Sequence, residues 1–286
     1  MFLCVDGPEA VCPVAQWSRK EQSVNLLDRD WGRRHWLPFI ARKQRPLSAT
    51  GPIVTFTFDD FPRTAYAVGG AILKKFGLHG TFYTAYGLMN TVHCLSGEHF
   101  RLDDLHGLLA DGHELASHTL NHVSSRRVSA AAFLQEAIKG RLSMQSLPGL
   151  KLSGNFAYPY GAVTAVTKRA VGKMMLSCRS TYRGVNGPVV DLNLLRANPL
   201  YGGIERLDSV RGLLRMNQER GGWLIFYTHD VRNSYSRFGC SPALLESALK
   251  LALDASMKVL TVDEVLGNEG QPSEHRAPCA VAEAAT

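Results

Sequence analysis

Two adjacent carboxylates, Asp59 and Asp60, close a run of β-branched and aromatic residues, Ile-Val-Thr-Phe-Thr-Phe over 53–58. Two histidines stand four apart in His118-Thr-Leu-Asn-His122, and a third, His229, follows the apolar run from Trp223 to Thr228. Imidazole and carboxylate are ordinary donors to a divalent ion. Two imidazoles and one carboxylate leave coordination positions open, the arrangement of a catalytic rather than a structural zinc site. The same donors serve non-haem iron oxygenases, so the residues alone admit both hydrolysis and oxygenation at an ion. A second carboxylate able to deprotonate water and a histidine able to protonate a leaving group suit hydrolysis. The absence of an all-β pattern counts against an oxygenase.

Elements must bring these residues together. The alternation over Ile53–Asp60 reads as a strand. Successive side chains on a strand face opposite sides, which gives Asp59 and Asp60 different tasks. Further strands are expected at Thr81–Ala85, Glu114–Ser117, Asn155–Tyr158, Leu176–Ser180, Trp223–Thr228 and Val259–Val262. Between them lie helices at Thr64–Phe76, Leu102–Ala110, Ser129–Leu147, Val163–Met175 and Leu207–Glu219, and another opened by Ser241-Pro242 as N-cap and first-turn proline. Phe133, Ala137, Ile138 and Leu142 are expected on one face of the third helix, and 181–204 reads as irregular. Seven strands alternating with helices argue for one parallel α/β unit with right-handed crossovers. No glycine-rich turn follows the first strand, as a dinucleotide-binding sheet would require. The expected fold is therefore a single-domain irregular (β/α)7 barrel. Strand ends then gather on one face, bringing together Asp59, Asp60, His118, His122, Tyr160, Arg183 and His229, with the two histidines of the pair one helical turn apart.

At 286 residues, 45% hydrophobic and 20% charged, the chain has material for a sizeable core. The excess of 32 Lys and Arg over 25 Asp and Glu is spread among apolar residues rather than gathered in an arm, which argues against a nucleic-acid partner. Six scattered cysteines without Cys-x-x-Cys suggest neither a disulfide framework nor a zinc ribbon. No apolar run reaches the ~18 residues of a membrane helix, and the first residues lack the basic and apolar regions of a secretory signal. The expectation is a cytoplasmic protein with no integral membrane segment. The divisions expected are an N-terminal extension over 1–48, a catalytic domain over 49–267 and a disordered tail over 268–286.

Over roughly Ile53 to Val265 these segments resemble the polysaccharide deacetylases with a NodB homology domain, the fourth family of carbohydrate esterases. Thr57-Phe58-Asp59-Asp60 is similar to the first motif of that family, in which the first Asp is the catalytic base and the second a metal ligand. His118-Thr-Leu-Asn-His122 resembles the second, whose histidines both bind the metal. Phe156-Ala-Tyr-Pro-Tyr-Gly161 resembles the third, where the N–H of the residue after Pro, here Tyr160, holds the oxyanion. Phe226-Tyr-Thr-His229 resembles the fifth, whose His is the general acid. The resemblance implies a NodB-like barrel, a divalent metal, zinc, on Asp60, His118 and His122, and hydrolysis of N-acetyl groups on an amino-sugar polysaccharide or oligosaccharide. Two alternatives stand beside it: an allantoinase-like hydrolase of non-carbohydrate C–N bonds, and a catalytically silent carbohydrate-binding protein.

The sequence departs from the family pattern twice. The third-motif Arg that orients the catalytic Asp is replaced by Ala157, as in variants that act on exopolysaccharide N-acetyl groups, and the fourth motif, Asp followed by Trp, is not recognisable. A carboxylate beside a metal needs a partner to fix it. Arg183 and Arg196, in the irregular segment after the fifth strand, are the candidates, and Arg183 is favoured because it lies closer to the strand end.

Overall fold

The computed structural model of the protein describes residues 36–47 and 51–267. Most of the expected extension over 1–48, and the whole of the expected tail over 268–286, lie outside the described residues. Two compact units are distinguished, divided after Ile40. In the first, Leu37–Phe39 forms a single 3₁₀ turn with Pro38 in its first positions. All else described here belongs to the second.

Eight parallel strands form one curled sheet: β2 (Ile53–Asp59), β3 (Thr81–Thr84), β6 (Glu114–Ser117), β7 (Asn155–Ala157), β8 (Ser177–Arg179), β10 (Asn198–Pro199), β11 (Trp223–Thr228) and β12 (Lys258–Val259). Their order is β10-β11-β2-β3-β6-β7-β8, with β12 paired to the start of β2. The remaining strands lie outside this sheet. β1 (Gln44–Pro46) pairs antiparallel with β9 (Val189–Asp191), and β4 (Val92–His93) with β5 (Gly97–Glu98). The sheet edges β8 and β10 are joined by the chain around Leu195, whose N–H and C=O bond to Cys178 and Ser180. The result is the irregular barrel expected, with eight strands where the sequence suggested seven.

The period-two pattern decides what faces inward. Val54, Phe56 and Phe58 of β2 join the apolar layer beneath the helices. Thr55, Thr57 and Asp59 face the interior, where Trp223 Nε1 donates to Thr55 Oγ1 at 2.8 Å. Around this sheet lie α1 (Ala71–Lys75), α2 (Leu102–Ala110), α3 (Ala130–Gln145), α4 (Ala165–Gly172), α5 (Leu207–Arg220), α6 (Pro242–Asp254) and α7 (Val262–Leu266). A wide turn over Ala65–Gly70 leads into α1. Ser241 caps α6 as its place before Pro242 suggested, and Ser129, expected inside the third helix, is instead the cap of α3. The buried face of α3 differs from expectation. It is Phe133, Ala137, Gly140 and Met144, while Leu142 is 59% exposed, because the face is turned to seat Gly140 rather than a leucine.

The end of the barrel opposite the carboxyl ends of the strands is fastened by Glu114. One carboxylate oxygen accepts from Ser153 Oγ and Asn155 Nδ2, the other from Thr81 Oγ1 and the Asp263 N–H. Burial pushes this carboxyl up, and the hydrogen bonds oppose that rise. The bond to Asp263 ties α7 to the barrel. No helix among the described residues is long and apolar enough to cross a membrane.

Beside Glu114, His113 accepts the Gly80 N–H at Nδ1, 3.0 Å away, and is 3% exposed. Burial, with His79 adding to it, pushes its pKa from 6.5 down to about 4. The unfolded chain therefore takes up a proton at this residue before the folded chain does. Its contribution is intact above the unfolded pKa and is lost as pH falls from about 6.5 to about 4, a loss on the order of 3 kcal/mol. Urea midpoints across this window should fall less steeply in His113→Phe than in the wild type. Parallel slopes would show that His113 is not titrating with unfolding.

Candidate active site

β2 ends in an abrupt change of direction. Asp60 and Phe61 both occupy the left-handed region, with φ of 61° and 53°. Asp59 stays in the strand register and points into the barrel, while the turn throws the Asp60 carboxylate toward the histidines. Thr119, His122 and Tyr160 are also left-handed, at φ 70°, 53° and 59°. Each such non-glycine residue costs on the order of 1 kcal/mol. Five of them around one cavity hold the site in a geometry that local preference would not choose.

The histidine pair is not one turn of helix, as its spacing suggested. Residues 118–122 form an irregular loop after β6, and their two rings come to 5.0 Å through the left-handed Thr119 and His122. Several bonds hold the loop. The His118 N–H donates to Thr84 O, the Leu120 N–H to Glu136 O, and the Asn121 N–H and Nδ2 to the Glu136 carboxylate. Gly140 of α3 lies so close beneath it that a Cβ there would sit 2.4 Å from the Thr119 carbonyl, so only glycine lets helix and loop approach.

His122 Nε2 lies 3.1 Å and His118 Nε2 3.6 Å from Asp60 Oδ1, and His229 Nε2 lies 3.7 Å from Asp60 Oδ2. Burial works to raise the Asp60 carboxyl, but His122, His229 and His118 prevail and hold it below its ordinary value. His118 Nδ1 donates to Ala157 O at 2.8 Å, which leaves Nε2 as a bare lone pair facing Asp60. Burial holds His118 down to about 4, neutral at ordinary pH.

These residues fit a divalent ion. Asp60, His118 and His122 each offer an atom, all within 4.8 Å of one another. Asp60 Oδ1 is buried without a hydrogen-bond donor, which leaves it available for a metal bond. The carbonyl partner on His118 Nδ1 is the outer support that orients metal-binding imidazoles.

Asp59 has a different surrounding. Arg179 Nη2 donates to both of its oxygens at 2.6 Å, and both side chains are almost wholly buried. The guanidinium lies between the rings of Tyr83 and Tyr227, 4.9 and 5.1 Å from their centroids. This corrects the assignment of Arg183. That residue is exposed on the loop beyond β8, and Arg196 donates to its carbonyl. The reason is the sheet register, in which Ala157 and Arg179 are partners on adjacent strands. A guanidinium missing at 157 is supplied one strand over, and the small Ala116 and Ala157 beside Tyr83 leave it room.

His229 closes the other side. Its Nδ1 is 3.2 Å from Phe238 O, so a backbone carbonyl rather than a carboxylate orients the ring. The loop supplying that carbonyl is shaped by Asp230, which accepts from Arg232 Nε, the Ser236 N–H and Ser236 Oγ. Tyr160 packs over His122 with centroids 4.5 Å apart. All of the residues expected at the strand ends reach this cavity except Arg183, and Arg179 was missed. The signal for it was the alternation Ser177-Cys178-Arg179, which turns Arg179 inward.

Residues 48–178 match the model of a family described as polysaccharide deacetylase. Among solved structures, the chitin deacetylase from the fungal pathogen Colletotrichum lindemuthianum aligns with TM-score 0.56 at 16% identity, over 82% of this chain and 96% of that one. The Xyl-CE4 domain of a multidomain xylanase from the hindgut metagenome of Trinervitermes trinervoides aligns with TM-score 0.52 at 17% identity, over 77% and 91%. At these identities the likeness is one of fold. No curated protein matches the chain.

Proposed function

Because residues 48–178 belong to the polysaccharide deacetylase family, we propose that the protein is a metal-dependent deacetylase that hydrolyses N-acetyl groups of an amino-sugar polysaccharide or oligosaccharide. The observation that carries this reading is the division of labour between neighbouring acids. Asp60 faces two imidazoles and has an oxygen to spare, whereas Asp59 is gripped by a guanidinium and kept out of that cluster.

A divalent ion, zinc in our reading, on Asp60, His118 and His122 would polarise the acetamide carbonyl and lower the pKa of water toward ~7. The chain's own residues supply the rest. Asp59, fixed by Arg179, takes the proton from the attacking water. The Tyr160 N–H, presented by the left-handed turn after Pro159, donates to the oxygen on which negative charge develops. His229 stands on the far side of Asp60 and hands a proton from Nε2 to the departing amine.

Acetate release from a panel of N-acetylated glycans tests the reading. Activity should vanish on chelation and return with zinc. Turnover of allantoin or a formamide, with none of the glycans, would replace it. His229→Ala should lower amide hydrolysis by roughly 10²–10⁴-fold but spare an aryl acetate, whose leaving group needs little protonation. Equal losses on both substrates would remove His229 from the acid role.

A further inference from the structure

We infer that Asp230 is a positioning residue for the acid: through Ser236 and Phe238 it fixes the ring of His229, which it does not itself hydrogen-bond. The inference rests on the reading of His229 as proton donor and adds the group that keeps that donor aimed.

His229 is the first residue after β11, and its ring has to be held on the side away from Asp60. Among the described residues no carboxylate meets its Nδ1. That atom lies 3.2 Å from Phe238 O, which also accepts the His229 N–H at 3.1 Å and stands 3.4 Å from Thr228 Oγ1. A carbonyl only accepts, so Nδ1 carries a proton and Nε2 is turned toward Asp60 Oδ2, 3.7 Å away. The aim of the ring therefore depends on where residue 238 is held.

Phe238 belongs to no helix or strand and is 39% exposed. Asp230 holds it from below. Its carboxylate is wholly buried, with Oδ1 accepting from Ser236 Oγ and Oδ2 from the Ser236 N–H and Arg232 Nε, the last two at 2.8 Å. Because the Ser236 hydroxyl gives its proton to Asp230, its lone pairs are free for the Phe238 N–H, which donates to it at 3.2 Å. The main chain just beyond Phe238 is fixed to the same residue. A Cβ on Gly239 would come within 2.4 Å of Asp230 Oδ1, and the Cys240 N–H donates to Asp230 O at 2.9 Å. Residues 236, 239 and 240 thus bracket Phe238 with contacts to one side chain and its backbone. The cap of a turn would need only the Ser236 N–H. The hydroxyl, the guanidinium and the close glycine go beyond that, and the loop they build delivers its carbonyl to His229. Arg232 also donates to Leu95 O, between β4 and β5, so the loop is braced from outside as well.

The test reads the ring and the reaction separately, both on the zinc-loaded full chain. Nitrogen-15 shifts of the histidine rings are followed through their carbon-bound protons at mildly alkaline pH, with His229 identified by its loss in His229→Ala. In the wild type His229 should occupy a single tautomer with the proton on Nδ1. Asp230→Asn sets an amide among donors, and Ser236→Ala breaks the step to Phe238 while changing only a partly exposed loop residue. Both should give a mixture of tautomers, whereas Ser236→Thr keeps the hydroxyl and should keep the single one. On an N-acetylated chitooligosaccharide, Asp230→Asn and Ser236→Ala should lower kcat by at least about tenfold with KM nearly unchanged, and spare an aryl acetate. Ser236→Thr should recover most of that loss. If Asp230→Asn does not fold, Ser236→Ala decides alone. A wild-type proton on Nε2, a tautomer unmoved by Ser236→Ala, or equal losses on amide and aryl acetate would overturn the inference. The expected ring behaviour with no acetate released from any glycan keeps the positioning role and removes the deacetylase reading. Acetate release with a tautomer indifferent to Ser236→Ala does the reverse.

Discussion

Replacing Arg179 with Met should lower acetate release at least ~100-fold and destabilise the fold by about 3–5 kcal/mol, the range expected when one partner of a buried ion pair is removed. Both effects have one origin. The guanidinium bonds both Asp59 oxygens at 2.6 Å in a setting closed to water, so its loss leaves a buried carboxylate unpaired and free to rotate away from the attacking water. A second substitution separates the two effects. Adding Asp59→Asn removes the stranded charge and should recover much of the stability without recovering turnover. Melting and acetate release measured on the single and double variants decide the matter. If the double variant regained activity along with stability, Arg179 would be a packing residue and Asp59 no base. Arg179→Lys keeps the charge but loses the planar group between Tyr83 and Tyr227, and should fall between wild type and Met in both measurements.

The adjacent acids should fail in different ways. Asp59→Asn is expected to keep its metal and lose roughly 10²–10⁴-fold in turnover, because proton abstraction needs the carboxylate whereas the donor set at Asp60, His118 and His122 does not. Asp60→Asn should lose the metal as well, since its Oδ1 sits 3.1 and 3.6 Å from the two imidazoles with no other partner. Elemental analysis after mild chelation, read beside acetate release, distinguishes them. Equal metal content in Asp60→Asn and wild type would remove Asp60 from the donor set. Near wild-type release by Asp59→Asn would leave that residue only a place in the turn.

The elements were legible because each segment carried its own periodicity. β2 is readable from alternation alone, α2 falls where its apolar spacing put it, and Ser241-Pro242 announced α6. What the sequence concealed came from relations between segments. The helical spacing of His118 and His122 was real, but Thr119 and the close approach of Gly140 impose a loop on it. β10 is two residues long, too short to show a period, and exists because the neighbouring β11 offers it hydrogen bonds. Arg179 was hidden for the same reason. Proximity along the chain favoured Arg183, while the pairing of Ala157 with Arg179 is a fact about two strands and is written in neither of them.

The left-handed residues around the cavity set heat resistance against activity in this chain. Asp60 and His122 hold a backbone conformation that glycine adopts without penalty. At these positions the substitution that most relaxes the main chain also erases a side chain of the site. Variants collected for thermal tolerance alone would be drawn to glycine there and would accumulate well-folded, inert proteins. A screen that scored folding without scoring turnover would therefore rank the emptied site above the working one.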